Sequence, residues 1–560
     1  LRATIYVILF FLVLLTPFVL RDLTGAAVSA DLSTTGESLV IITPHDSLLR
    51  REFAQAFSQW HRDHYGSPVS LDFRSVSGTQ NIKRQLQTTY DSLRDSQGRL
   101  PPEETIADKL NLQIAWGGGN TFFDSELKPL GILSPLHLSP QQIHEIFPQT
   151  SLAGVDLLDP SKDGGPRWVG YCLSGFGIMY NPDLYASLDL PPPKTWSDLT
   201  NPKLFDMVSL ADPTHSASVG VCYIMVIQRA MADAEAAFLK TLPTGSVLIG
   251  ANSPNTQSPA YHAALAAGFK TGLKTLIRIA ANSRSNADSA TVPPMEVADG
   301  QAAAALAIDF YAHTFMELIG DSRGRFVVPE NATAITPDPV AILYGTVGRK
   351  RELADHFVEF LLSRPGQLLW ILKAGVPGGP HQRALRRVPI RRDVYSEDRS
   401  NWADPTANPF TDAGSFNMRG QWMSFFGDIR PIWAAAWIDD RDDLIDAYSK
   451  ILEISDPARQ AELLDELSDI PATYDDILSD GVTRKQHEAM GDADQWKAQS
   501  RIDWAKKFRD HYRAIAAKAE APQTNATIIP RPLPNPNPNL NPLLNLNLAL
   551  TPNLLTSTHS

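Results

Sequence analysis

The chain is short of the residues that catalytic and metal-binding proteins usually display. Its two cysteines, Cys172 and Cys222, are too few for a disulfide scaffold or a structural zinc site, and no Cys-x-x-Cys or His-Glu-x-x-His spacing occurs. In an oxidising compartment the two either pair or remain separate buried thiols. Ser174 has Cys172 and Phe176 where a nucleophile elbow needs glycines, and His45 and His215 have no recognisable motif around them, so no enzymatic chemistry is expected. Positive charge is also in deficit. With 50 Lys+Arg against 62 Asp+Glu the formal net charge is -12, which argues against nucleic acid as a partner. The basic run Arg383–Arg392 is then expected to be a solvated edge or to pack against the acidic helices after residue 440.

The N-terminus is without charge from Ala3 to Leu20. Arg2 precedes this run, Arg21-Asp22 closes it and small residues follow from Gly25 to Ala30, the pattern of an export signal over residues 1–30 or of an uncleaved membrane anchor. A periplasmic or extracytoplasmic location is expected. At the other end, the Pro/Asn/Leu tract of residues 521–560 has the composition of a disordered tail.

Between these ends short apolar runs alternate with helical periodicity, the pattern of α/β lobes with mostly parallel strands. Ser38–Ile42 reads as a buried strand, with Thr43 as N-cap and Pro44 as first residue of a helix carrying Phe53, Phe57 and Trp60. Val69–Phe73 leads to Ser77, Gly78 and Thr79 at the mouth of a second helix. Leu112–Trp116 ends in Gly117-Gly118-Gly119-Asn120, whose glycines allow close approach of backbone to a ligand or make a plain turn. Trp168–Pro182, with glycines at 170, 175 and 177, reads as a bent connection between lobes. Val208–Val219 breaks at Asp212-Pro213 into Thr214, Ser216 and Ser218, a donor-rich helix start that suits an anion or serves simply as an N-cap. Helical sequence fills residues 221–285, and Ala302–Tyr311 reads as a returning strand.

In this order, Leu39–His45, Trp116–Asn120, Gly175–Asn181, Leu210–Ser218, Val297–Tyr311, Ile335–Leu343 and Ala354–Gln367 resemble the extracytoplasmic solute-binding proteins of ABC importers. The resemblance is to the branch that binds ferric iron, polyamines and phosphorylated sugars, and it covers roughly residues 38–395. It implies two doubly wound α/β lobes joined by extended hinge crossovers, a type II periplasmic-binding-protein-like fold. Lobe 1 is expected over 38–168 plus 312–395 and lobe 2 over 169–311, followed by a helical extension over 396–520. It further implies a monomer that closes on a small-molecule or metal solute and passes it to an ABC permease. The alternatives are a membrane-anchored sensor and a periplasmic enzyme on the same scaffold.

The mouths at His45, Ser77–Thr79, Gly118–Asn120 and Thr214–Ser218 would face one cleft, joined by Ser174, Asp309 and Tyr311. Each offers N–H groups and hydroxyls and none a row of carboxylates, so an anionic or oxygen-rich ligand is expected rather than a polyamine. No resident cofactor is expected. Ferric relatives use a His from the first junction and two adjacent tyrosines; here His45 and Tyr311 are the metal candidates, and Asp309-Phe310-Tyr311 has one tyrosine where two are expected.

Overall fold

The computed structural model describes residues 37–521 apart from 76–77, 162–163, 243–257, 321–322, 406–407, 413–415 and 417–425. The expected signal or anchor, the tail and Ser77 therefore lie outside the described residues.

The chain first lays down β1 (Glu37–Thr43), α1 (Ser47–Tyr65), β2 (Val69–Ser75), α2 (Thr79–Asp91), β3 (Ile114–Trp116) and β4 (Leu133–Ser134). Helix α1 starts later than the Thr43-Pro44 signature suggested: Asp46 is its N-cap, accepting from Leu48 N and Leu49 N. Its spacing holds, and Phe53 and Phe57 are fully buried, each worth on the order of 1.5–3 kcal/mol by transfer from water. A small hairpin, β5 (Ser151–Leu152) and β6 (Val155–Asp156), precedes β7 (Val169–Ser174). Strand β7 hands over at Gly175 to β8 (Phe176–Tyr180), and β9 (Val208–Ala211), α3 (Ala217–Leu239), α4 (Pro259–Ala281) and β10 (Ser283–Ala287) follow. After β11 (Ala304–Ile308) come α5 (Asp309–Ile319) and β12 (Arg325–Val327), then β13 (Thr336–Leu343), α6 (Gly348–Leu362), α7 (Arg364–Ile371) and β14 (Val388–Pro389).

Apart from the β5–β6 hairpin, these strands make two sheets, one per lobe. The first runs β14-β7-β13-β3-β1-β2 with β4 also on β13, and the second runs β10-β9-β11-β8-β12. Both are mixed rather than mostly parallel. In the first, β1 is parallel to β2 and β3, but β13 enters antiparallel to β3, β4 and β7 because it arrives from the other lobe. In the second, β11 is parallel to β9 and antiparallel to β8.

The strand pairing moves the expected lobe boundaries. Residues 169–174 are β7 and pair with β13 in the first sheet, so the outward crossing falls at Gly175 and not at 169. Strand β12 pairs with β8 in the second sheet, so the return crossing falls between Val327 and Thr336 and not after Tyr311. The run expected to be a strand to Tyr311 stops at Ile308, where helix α5 begins with Asp309. The stretch 221–285 resolves into α3, α4 and strand β10. The two helices pack backbone to backbone: a Cβ on Gly268 would lie 2.6 Å from Met231 Cα, and one on Gly272 equally close to Ile227 Cα.

The longer helices described in the C-terminal extension are α8 (Phe426–Ala434), continued by the turn Ala435–Asp439, then α9 (Arg441–Leu452), α10 (Pro457–Ser468), α11 (Tyr474–Met490) and α12 (Ala493–Glu520). They share one hydrophobic core with the second lobe. Trp433 and Trp437 are buried edge-on against Tyr223 of α3, with ring centroids 5.5 and 5.6 Å away. Among the described residues no helix is long and apolar enough to cross a membrane. Cys172 and Cys222 are both free and buried, one in β7 and one in α3.

Candidate ligand-binding site at the interlobe crossing

The first lobe presents a closed polar hub on an aromatic floor. Phe53, Trp116, Tyr171 and Trp370 pack together below it, with Phe53 and Trp370 centroids 4.2 Å apart. His45 is buried edge-on against Trp116 at 4.6 Å, and its Nε2 is 2.7 Å from Tyr171 Oη. Burial pulls its imidazole down to about 4, with Asp338 opposing, so the ring is neutral at neutral pH. Burial likewise pushes the Tyr171 phenol well up. Gly117 lies so close that a Cβ there would fall 2.5 Å from His45 Nε2. His45 is thus roofed by the glycine loop and bonded to Tyr171, which removes it as an open metal ligand.

Asp338 sits at the centre of this hub. Its Oδ1 accepts from Gly118 N at 2.7 Å and Gly119 N at 3.0 Å, and its Oδ2 accepts from Arg387 Nη1 at 2.5 Å. Burial works against its charge, but Arg387, His45 and the hydrogen bonds outweigh it and hold the carboxyl below its usual range. The glycine-loop donors expected to cradle a ligand are therefore occupied by the protein's own carboxylate. The basic run 383–392 is corrected at the same place. Arg387 is 3% exposed, reaches Cys172 Sγ at 3.2 Å and lies 3.7 Å from the Phe310 ring centroid, so it is a buried counter-charge and not a solvated edge. Its neighbours do lie at the surface, Arg386 paired with Glu317 and Arg391 with Asp393 and Glu145.

Asp309 fills a second position. Its Oδ2 accepts from Gly175 N at 2.6 Å and its Oδ1 from Phe310 N at 2.7 Å, which ties the first turn of α5 to the crossing strand. Burial pushes its carboxyl up to about 7. Tyr311 is half-buried with its ring 4.1 Å from Phe310, and burial raises its phenol while the nearby Arg387 opposes. Ser174 is 6% exposed and its Oγ has no hydrogen-bond partner among the described residues. Asn120, half-buried, opens the short helical turn Asn120–Phe122.

The start of α2 is finished differently. Its N-cap is Gly78, at φ +78°, with no side-chain cap. Thr79 is 6% exposed, and among the described residues its Oγ1 has no hydrogen-bond partner, nor has the buried Nε2 of Gln80. A Cβ on Gly78 would come 3.3 Å from the His215 carbonyl oxygen, so the second lobe's β9–α3 loop lies directly against this mouth. An uncapped helix start with a hydroxyl and an amide N–H₂ beside it is a donor array for an oxyanion.

In the β9–α3 loop, Asp212 Oδ1 accepts from both N and Oγ1 of Thr214 at 2.6 Å, and Oδ2 lies 3.0 Å from His215 Nδ1. The Thr214 hydroxyl is thereby engaged within the loop. Ser216 is the N-cap of α3, accepting from Val219 N at 3.4 Å, and the Ser218 side chain lies outside the described residues. Asp212, His215 and Asp288 bring one ligand atom each within 4.8 Å of one another. Asp46, Asp212, Asp309 and Asp338 correct the expectation that the mouths carry no row of carboxylates. All four are already bonded to backbone N–H groups. A separate groove of about 290 Å³ on the first lobe is lined among others by His137, Glu145, Asp355 and Arg391, of which His137 pairs with Asp355 and Arg391 with Glu145.

Residues 144–395, less than half of the chain, match the family model described as bacterial extracellular solute-binding protein. That segment is therefore similar to the bacterial extracellular solute-binding proteins. No curated protein matches the chain. Among solved structures, the periplasmic binding protein AfuA from Actinobacillus pleuropneumoniae, with exogenous fructose-6-phosphate bound, is 18% identical with a TM-score of 0.45, over 74% of this chain and 98% of its own. Iron-bound HitA from Pseudomonas aeruginosa is also 18% identical, with a TM-score of 0.43 over 70% of this chain and 99% of its own. The spermidine/putrescine ABC transporter substrate-binding protein PotD from Streptococcus pneumoniae is 14% identical, with a TM-score of 0.40 over 70% of this chain and 97% of its own. The three differ in ligand, and at these scores none of them selects a solute for this chain.

Proposed function

We propose that this protein is the extracytoplasmic solute-binding component of an ABC importer. It captures a small anionic or oxygen-rich solute, such as a phosphorylated compound, between its lobes by hinge closure, acts as a monomer, catalyses no reaction and delivers the solute to a membrane permease. The observation that carries the reading is the α2 mouth. Its start at Gly78 lies against the second lobe's loop, and beside it Thr79 Oγ1 and Gln80 Nε2 have no hydrogen-bond partner among the described residues. The carboxylates nearby favour a polyamine less than their number suggests, because each is engaged by the protein's own donors. Ferric iron is the weaker candidate: His45 is bonded to Tyr171 beneath Gly117, and Tyr311 stands alone.

A thermal-shift panel of inorganic phosphate, a sugar phosphate, ferric citrate, spermidine and glucose tests this. A solute at ~100 times its Kd stabilises the native state by about 2.7 kcal/mol, a readily measured rise in Tm. The sugar phosphate or inorganic phosphate should give that rise. Stabilisation by spermidine alone, or by none of the five, would contradict the reading.

A further inference from the structure

The C-terminal helices lie beyond the segment that matches the solute-binding family, yet one of their side chains reaches the crossing. Arg430, on α8, is 7% exposed. Its Nε donates to the Pro213 carbonyl at 2.7 Å and its Nη2 contacts the Thr214 carbonyl at 3.4 Å, both in the β9–α3 loop. Its Nη1 lies 3.5 Å from Glu126 Oε1. Glu126 is on the other lobe: its segment, Phe123–Leu127, buries Phe123 and Leu127 in a core built on the first sheet. The other oxygen of the same carboxylate is bonded by Lys83, just beyond the first turn of α2, the helix that begins at the candidate mouth.

We propose that Arg430 is a positioning residue of the binding unit, a clasp through which the C-terminal extension holds the two lobes together across the crossing. Its attachments are unequal in kind. The bonds to Pro213 and Thr214, and the burial of Ile429, Ile432 and Trp433 in the second lobe's core, make Arg430 move with that lobe. The bond to Glu126 joins it to the first lobe and to Lys83 on α2. Separation of the lobes breaks the Arg430–Glu126 pair while leaving the loop contacts intact. Both partners are largely removed from water, with side chains 8% and 17% exposed, so the pair is poorly screened and its loss is felt more than that of a surface ion pair. The segment 212–216 is held in the same grip, so the extension also sets the shape of the second lobe's side of the cleft.

The consequence for solute release rests on the proposed binding function, whereas the consequence for lobe separation does not. Spin labels on Gln97→Cys of the first lobe and Ala186→Cys of the second report the separation, since Cys172 and Cys222 are buried and both chosen sites are exposed. In the full-length, solute-free protein, Arg430→Met and Glu126→Gln should each increase the population at longer label distance, and the double variant should add little to either. Glu126→Gln leaves the Arg430 contacts to the loop in place and weakens, besides the interlobe ion pair, only the Lys83 pair within the first lobe. With whichever panel solute stabilises the protein, each variant should release it ~10-fold faster. Identical distance distributions for wild type, Arg430→Met and Glu126→Gln overturn the clasp, even if a solute binds. A clear shift in distance together with a failure of every panel solute to bind upholds the clasp and counts against the binding function instead.

Discussion

The glycine-rich end of β3 and the start of α2 touch, close enough that a Cβ on Gly118 would sit 2.9 Å from Thr79 Cγ2, yet they are finished in opposite ways. At the first, Asp338 takes the N–H groups of Gly118 and Gly119 and is itself neutralised by Arg387. At the second, among the described residues no side chain caps the helix, and the hydroxyl and amide beside it have no partner. A strand-to-helix junction is an anion site by default, because its N–H groups are orphaned. Whether a ligand uses it depends on whether the protein has supplied the anion itself. By this criterion the glycine loop is a structural hub, and the proposed solute would engage the start of α2.

The largest way to break this contrast is to remove the internal anion. Asp338→Asn or Arg387→Met leaves one member of a buried pair without its counter-charge and should cost about 3–5 kcal/mol, read by urea unfolding. The double change should cost clearly less than the sum. A loss under ~1 kcal/mol in both single variants would mean that the hub is not what holds the first lobe's crossing.

Asp309 gives the next effect, through pH. Its folded-state value, raised to about 7 by burial, lies above the ordinary 3.8, so the native state holds a proton that the unfolded chain has already lost. The stability from this group is therefore full below pH 3.8 and disappears as pH rises through about 7. His45 has the opposite sign: lowered from 6.5 to about 4, it contributes stability above pH 6.5 that is lost as pH falls through about 4. Asp309→Asn should flatten the decline between those two carboxyl values and leave the acid limb of His45 in place. An unchanged stability curve would contradict the assignment.

Those two effects turn on partners that single segments of sequence do not reveal. The local pattern was readable: the apolar run at Ser38–Ile42 is β1, Phe53 and Phe57 mark the buried face of α1, and the glycine-bearing run Trp168–Pro182 holds the bend between lobes, though at Gly175 and not at 169. The hub was not, because Gly118 and Asp338 are 220 residues apart and Asp338 and Arg387 are 49 apart. One signal was available. A carboxylate in the buried strand Thr336–Leu343 requires a buried cation or donors, and Arg387 stood in an arginine-rich run that the acidic net charge made easy to assign to the surface. The hydroxyl-rich loop was readable as a mouth, but the return of Asp212 onto Thr214 is a matter of side-chain direction. The reach of Arg430 from the C-terminal helices into the same loop depends on tertiary packing that no local pattern encodes.

Smaller effects separate capping from binding on the second lobe. Ser216→Ala should cost about 1 kcal/mol of stability through the lost N-cap of α3 and leave solute affinity within about threefold. Thr214→Ala should change affinity by a similarly small factor in a calorimetric titration, since its hydroxyl is already bonded to Asp212. A large loss of affinity in either variant would move the site from α2 to this loop.

The most direct test of the central claim is isothermal titration of the stabilising solute into wild type and into Thr79→Ala/Gln80→Ala. If the unfilled start of α2 is where the solute sits, Kd should rise at least ~10-fold, about 1.4 kcal/mol, with Tm of the solute-free protein unchanged. An unchanged Kd in that double variant would contradict it.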